Sequence, residues 1–250
     1  LEFQETPESK IFPNAAFGYW KVTVERPRRL HSRISLKAIE ALRFASGDEE
    51  MRGALYEAFG DDLFTDFRAV AGDLEKYLSG WAEGAAEVDD SEASGGSDED
   101  GESFSGSLSE KRKKKLLDPR TWERDGRLAG IAATLRDALG DGLFEDYTIF
   151  RGRVDEIMKK KGVKLAAADL KIILKAVSWT EEAAPPVIAR VHKSGKVKAD
   201  PLHGRFAATV DGKPAVVEYE PDTDLRDTEQ VPLMEEGGIE AFIRREVLPY

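Results

Sequence analysis

The chain contains no cysteine, which excludes disulfides and thiolate metal sites and fits a reducing, cytoplasmic setting. Histidine is scarce as well. His31, His192 and His203 stand apart, none with a second histidine at metal-ligand spacing, so no bound transition metal is expected. No apolar run reaches the roughly 18 residues a bilayer requires, which predicts no transmembrane helix and no membrane partner. The opening Leu-Glu-Phe-Gln-Glu-Thr-Pro-Glu has neither the basic cap nor the apolar stretch of a signal peptide. Trp20, Trp81, Trp122 and Trp179 are scattered singly, as core anchors usually are, and offer no aromatic platform for single-stranded nucleic acid.

What is present is enough for a real core. The 250 residues are 41% hydrophobic, sufficient for one large or two small domains. A net charge of −11 argues against a free-standing nucleic-acid binder unless basic residues gather on one face. That charge is unevenly spread. Between Glu83 and Glu110 there is no lysine or arginine, while Glu87, Asp89, Asp90, Glu92, Asp98, Glu99, Asp100 and Glu102 crowd among serines and glycines. Such a stretch buries too little apolar surface to offset its ordering entropy and is predicted to be a disordered linker. Without it the remainder lies much closer to neutral.

Periodicity organises the rest. Phe17 to Glu25 alternates apolar and polar residues like a half-buried strand, ended by Pro27. Ser35 is placed to cap a helix running to about Ala45, and Asp48 to cap the next, whose Met51, Ala54, Leu55, Ala58 and Phe59 follow the helical template up to a Gly60 stop. Leu55 to Phe67 recurs as Leu135 to Tyr147, matching at Leu, Ala, Gly, Asp, Leu, Phe and Asp. Each matched residue has a capping or packing job, so the repeat predicts two similar helical hairpins rather than duplicated binding sites. Asp118-Pro119 opens a helix with Leu128, Ile131, Ala132, Leu135 and Leu139 on one face. Further helices are marked by Phe150, Val154, Ile157 and Met158, halted near Gly162, and by Leu170, Ile173, Leu174 and Val177 before Pro185-Pro186. Beyond the prolines the pattern alternates: Val187 to Val191 and Lys196 to Lys198 read as strands around Ser194-Gly195, and Arg205 to Val210 pairs with Ala215 to Tyr219 across Asp211-Gly212. Ile239, Phe242, Ile243 and Val247 close the chain as an amphipathic helix. The predicted class is α+β, mostly helical, with a small antiparallel sheet near the C-terminal end and an N-terminal strand. Its segments are 1–30 strand, 31–82 helical, 83–117 acidic linker ending in a basic run, 118–184 helical, and 185–250 sheet plus helix.

Three groups of residues invite a functional reading. Arg26, Arg28 and Arg29, with Arg33 nearby, form the densest arginine group, suited to phosphate or a partner subunit, or else a solvated strand end paired with acids. The run Lys111, Arg112, Lys113, Lys114, Lys115 reads either as a DNA contact or as a solvated tether neutralising its acidic neighbour. Arg226, Asp227 and Glu229 tempt toward acid–base chemistry. Asp227 and Thr228 equally fit a turn that bonds backbone amides, with Arg226 locking Asp227 or Glu229, and no serine or histidine accompanies them as a nucleophile or base.

Several long segments carry a resemblance. They are Lys10-Ile-Phe-Pro-Asn-Ala-Ala-Phe-Gly-Tyr-Trp-Lys-Val-Thr-Val-Glu-Arg-Pro27, Val187-Ile-Ala-Arg-Val-His-Lys193, Val210-Asp-Gly-Lys-Pro-Ala-Val-Val-Glu-Tyr-Glu-Pro221, Asp224-Leu-Arg-Asp-Thr-Glu-Gln-Val-Pro-Leu233 and Ile239-Glu-Ala-Phe-Ile-Arg-Arg-Glu-Val-Leu-Pro-Tyr250. In this order they resemble the distal part of the modification (M) subunit of type I restriction-modification systems. The resemblance implies a parent that methylates adenine N6 in DNA with S-adenosylmethionine, working with a specificity subunit that reads the target and a restriction subunit that cleaves. It implies a catalytic domain upstream and further chain beyond Tyr250. The two catalytic motifs are missing here. Pro13-Asn14-Ala15-Ala16-Phe17 lacks the paired prolines of the Asn-Pro-Pro-aromatic loop that holds an extruded adenine. Ala16-Phe17-Gly18-Tyr19 and Ala45-Ser46-Gly47-Asp48 each have a single glycine where a donor loop needs several. The expectation is therefore a stretch with no catalytic or cofactor-binding residue of its own that supports DNA clamping or specificity-subunit docking. The alternative is a protein-only interaction scaffold, and a hydrolase built on Arg226, Asp227 and Glu229 stands as a remote third.

Overall fold

The computed structural model of the chain describes residues 10–86, 109–193 and 195–248. Residues 1–9, most of the expected acidic linker, Ser194 of the expected turn and the last two residues lie outside the described part. The architecture is α+β, helix-rich with small antiparallel sheets. Two compact units interleave along the sequence rather than following it in order: one takes residues 33–142 and 153–178, the other residues 1–32, 143–152 and 179–250.

The first unit is helical. Ser35 caps α1 (Leu36–Leu42), its hydroxyl accepting the Ala38 amide at 3.1 Å as expected, but the helix ends at Leu42 and turns continue to Ser46. Asp48 precedes α2 (Glu49–Phe59) in a left-handed conformation without bonding a first-turn amide, because its carboxylate is held elsewhere. Gly60 takes the positive φ of 63° that ends α2, a conformation a Cβ disfavours. There follow α3 (Asp62–Thr65), α4 (Phe67–Ala86), α5 (Glu110–Leu116), α6 (Pro119–Leu139), the part of α7 (Tyr147–Lys160) beyond Gly152, and α8 (Ala167–Ala176). The core joins Met51, Leu55, Leu63, Phe67, Leu74, Leu78, Leu116 and Trp122. Burying one such side chain is worth about 1.5–3 kcal/mol, which is why α4, with exposed polar residues on its other side, stays helical in this company.

The second unit holds the sheets. β1 (Tyr19–Pro27) starts two residues later than the alternation suggests, since Asn14–Phe17 forms a 3-10 turn and Gly18 joins it to the strand. β2 (Leu30–Ser32) and β3 (Ser178–Thr180) pair briefly; both are three-residue strands, too short for a periodic signal. β4 (Ile188–His192), β5 (Phe206–Val210) and β6 (Lys213–Tyr219) form an antiparallel sheet in the order β4-β6-β5. Asp211 (φ 50°) and Gly212 (φ 73°) make the β5–β6 turn with both φ angles positive, the geometry that an Asp-Gly pair favours. Lys196 to Lys198 is turn and loop, not the strand the alternation predicted; the sheet partner of β4 is β6, from Ile188↔Tyr219 to His192↔Val216.

β7 (Pro221–Pro232) pairs with β1 along a long ribbon, Tyr19 facing Pro232 and Pro27 facing Pro221. The Leu225–Glu229 segment is thus an extended strand rather than the expected turn; the cross-strand partner supplies the backbone hydrogen bonds that a turn would have made locally. The expected last helix is split into α9 (Gly238–Phe242) and a π-helical turn, Ile243–Val247, and neither has a fully buried residue. The repeat has the same helix and glycine in both copies, Gly140 taking φ 79° as Gly60 does. The copies then diverge: Leu63 is fully buried, whereas Leu143 is 50% exposed and only its neighbour Phe144 packs inward, its ring 5.2 Å from that of the buried Phe150. Trp122 is a core anchor as expected, whereas Trp20 and Trp179 are exposed and Trp81 lies outside the described side chains.

Candidate nucleic-acid interface

The basic run at Lys111 to Lys115, one of whose readings was a solvated tether, is helical. Ser109 caps α5 by accepting the Arg112 amide at 3.3 Å, and Leu116 buries its end in the core. Lysine and arginine are good helix formers, and the three lysines in the last turn suit the negative pole of the helix dipole.

Two contacts seat α5 against the loop between α1 and α2, and a third ties it to α4. Arg112 grips Asp48 through two bonds, Nε at 2.7 Å and Nη2 at 2.6 Å. That guanidinium holds the Asp48 carboxyl below its ordinary value of 3.8 against the opposing effect of burial, with a lesser pull from the Met51 amide, which does not reach capping geometry. Lys115 Nζ donates to the Ser46 carbonyl at 2.6 Å, and Lys113 Nζ reaches Ser79 Oγ at 3.3 Å.

The same loop is pinned from beneath. Ser46 donates from its amide (3.0 Å) and its hydroxyl (2.8 Å) to the two oxygens of Asp125 on α6, which is completely buried. Arg52, on α2, places Nη1 2.9 Å from Asp125 Oδ2 and stacks its guanidinium 4.0 Å from the centre of the Trp122 ring. The Nη1 contact is an ion pair outside hydrogen-bond angles, and the Arg52 nitrogens have no hydrogen-bond acceptor among the described residues. Burial accordingly pushes the Arg52 guanidinium down from its usual value while Asp125 pulls it back. Sequence reasoning passed over this pair. The signal was legible: Arg52 lies at the position of an apolar stripe with Leu55 and Phe59, and Asp125 at the same place relative to Leu128 and Ala132, two opposite charges where apolar residues belong.

Two clefts flank α5. The wider, about 760 Å³, has mixed charge, with Glu75, Glu110 and Asp118 beside Lys111, Lys113 and Lys114. The narrower, about 380 Å³, is lined by Ser46, Lys115, Arg120, Thr121 and Arg124, none of them acidic. Arg124 is held by Asp169 (Nε to Oδ1, 2.9 Å), which Arg127 shares at 2.9 Å.

The residues singled out from sequence do not form one group. Arg33, Lys111, Arg112 and Lys113 belong to the helical unit, and Arg26, Arg28, Arg29, Arg226 and Asp227 to the sheet unit. In the sheet unit most of the arginines are occupied. Arg28 pairs with Glu220 at 3.0 Å, Arg29 donates to the Ala184 carbonyl at 2.5 Å, and Arg226 bonds Glu25 across the ribbon rather than Asp227 or Glu229. Arg26 stands opposite Asp222. Asp227 accepts the Thr228 amide at 2.7 Å, one of the local bonds expected of it. In the helical unit Arg33 donates to the Asp141 carbonyl at 2.8 Å. These bonds fasten the ribbon and its neighbouring loops, each engaging one guanidinium nitrogen.

Both single-glycine turns have close neighbours. Ser46 and Asp48 are already committed to Asp125 and Arg112, and Gly18 has the Leu233 side chain packed against it, leaving no room for even a Cβ. No helix among the described residues is long and apolar enough to cross a membrane. No protein-family model, curated protein or solved structure matches the chain.

Proposed function

We propose that this chain is a non-catalytic part of a type I DNA adenine-N6 methyltransferase subunit and supports the parent's S-adenosylmethionine-dependent reaction by gripping the DNA backbone. The methyl donor and the target adenine belong to residues outside this chain. The specificity and restriction subunits are the protein partners of this reading, and duplex DNA is met in the assembled complex.

The observation that carries the proposal is the corner where α5 meets α6. Arg112 and Lys113 fasten α5 to its unit, while Lys111, Lys114, Lys115 and Arg120 are exposed around it. A net acidic chain repels duplex DNA unless its cations are collected, and here they are collected on one short helix and the first turn of the next. The experiment is fluorescence anisotropy of the whole chain with duplex DNA across a salt series. Binding should weaken steeply with salt, log K falling by about 0.9 per phosphate contacted. Salt-independent binding, or none at low salt, refutes it.

A protein-only scaffold has its own supporting observation. Phe12, Phe17, Tyr19, Trp20, Leu233 and Met234 are all exposed around one end of the β1–β7 ribbon, more apolar surface than a solitary chain usually shows. Capture of the specificity subunit without any affinity for duplex DNA would favour that reading over the first.

A further inference from the structure

We infer that the narrower cleft, lined by Ser46, Lys115, Arg120, Thr121 and Arg124, is a phosphate-binding site that takes one phosphodiester group of a nucleic-acid backbone. The identity of the polymer rests on the DNA-gripping reading above; the affinity for phosphate does not.

The charge balance around the cleft favours an anion. Asp48 is spent on Arg112, Asp125 on Arg52 and Ser46, and Asp169 is one carboxylate divided between Arg124 and Arg127. Neither Lys115 nor Arg120 forms an ion pair with a carboxylate among the described contacts, although the Lys115 charge adds a small pull on the Asp48 carboxyl that Arg112 already holds. Asp118 lies close by, but its oxygen accepts the Arg120 amide at 3.0 Å as the cap of α6, so the positive end of that helix adds little and the side chains carry the site.

The donors are also held in place. The Ser46 carbonyl fixes the Lys115 ammonium and leaves two of its three N–H groups available; Asp169 fixes Arg124 through Nε and Nη2, leaving Nη1. Thr121 contributes a hydroxyl and Arg120 an exposed planar fork that matches two phosphate oxygens. Ser46 itself is locked by two bonds to a buried carboxylate, so the wall of the cleft cannot easily move away. Binding therefore costs little ordering of side chains, because the surrounding fold has already restrained two of the three cations. At about 380 Å³ the cleft is at the small end of ligand sites and has room for a phosphate with its adjoining sugar.

The test uses the whole chain and two probes. Inorganic phosphate is titrated while the Ser46 and Thr121 amides are followed by NMR, for the wild type and the double variant Lys115→Gln, Arg120→Gln; both replaced residues are exposed, and unchanged amide spectra elsewhere verify the fold. Phosphate should move those amides in the wild type and not in the double variant, and with duplex DNA the double variant should lower the salt slope by about 1–2. Lys171→Gln, on α8 away from the cleft lining, is the control and should change neither. Absence of a phosphate response at those amides overturns the site, as does a double variant whose DNA salt slope equals the wild type's. A normal phosphate response without any duplex binding keeps the anion site and removes the DNA-gripping reading instead.

Discussion

Removing Asp125 should be the most damaging single substitution in the helical unit, and the structure gives the size of the effect. Asp125→Ala leaves the Arg52 guanidinium buried without its counter-charge, a situation that costs about 3–5 kcal/mol. It also orphans the Ser46 amide and hydroxyl, each worth roughly 1 kcal/mol where water cannot replace the lost acceptor. The stack of Arg52 on Trp122 is made before and after the substitution and so does not enter the difference. A net loss of about 5–7 kcal/mol is a large share of a domain's usual 5–15 kcal/mol. Arg52→Met should cost about 3 kcal/mol, by leaving the carboxylate buried with only Ser46 for company. The double variant Arg52→Met, Asp125→Leu should lose less than either single, about 1–2 kcal/mol, because a buried pair replaced by apolar groups of similar volume leaves only the Ser46 donors unmet. Urea unfolding combined with amide hydrogen exchange in α2 and α6 measures all three locally. A cost below about 1 kcal/mol for Asp125→Ala, or a double variant equal to the sum of the singles, would show that the pair is not energetically coupled and sink the argument.

Other substitutions test other parts of the fold. A Cβ at Gly126 would meet the Phe64 Cβ at 2.9 Å, next to the backbone and unable to swing aside, so Gly126→Ala should destabilise by about 1–2 kcal/mol despite its better helix propensity. Gly130→Ala, one turn along α6 with nothing within 4 Å, should stabilise by up to about 1 kcal/mol, and thermal melts of the two variants should move in opposite directions. Gly212→Ala puts a Cβ on a residue at φ 73° and should cost the β5–β6 hairpin about 1 kcal/mol, read from the urea midpoint. The Arg112–Asp48 pair has a defined pH window. Because the folded Asp48 carboxyl sits below its ordinary 3.8, its contribution is complete above that value and disappears as pH falls through the depressed one. Protection of the α5 amides relative to their intrinsic exchange rates should therefore fall below about pH 3.8 in the wild type, and Asp48→Asn should give an α5 already less protected at neutral pH and flatter toward acid.

Local signals were legible because they are set by neighbours in sequence. Ser35 and Asp118 as helix caps, Gly60, Gly140 and Gly162 as stops, the Asp211-Gly212 hairpin and the apolar stripes of α6 and α8 all follow from backbone sterics, orphan amides and 3.6-residue spacing. Those rules also located the basic run, though not its state: five consecutive cations fit a tether and a helix equally well, and the decision fell to Leu116 in the core and to Asp48, 64 residues away from Arg112. The same limit applies to the arginine group beside Pro27. As a sequence it looks like a phosphate grip, but Arg28 and Arg226 find Glu220 and Glu25 across strands that only folding brings together, which turns a possible site into fastenings.

The amino-acid order alone therefore determined the helix-rich α+β class, the main helix limits and the set of cations available for contact. Tertiary structure decided which of those cations remain free. Ion pairs such as Arg52–Asp125, 2.9 Å apart, and Arg124–Asp169 join residues that share no local pattern, and the cleft at the α5–α6 corner is lined by Lys115 and Arg120 beside the already paired Arg124. Coulomb attraction depends on separation in space, and separation in space is what periodicity along a chain does not encode.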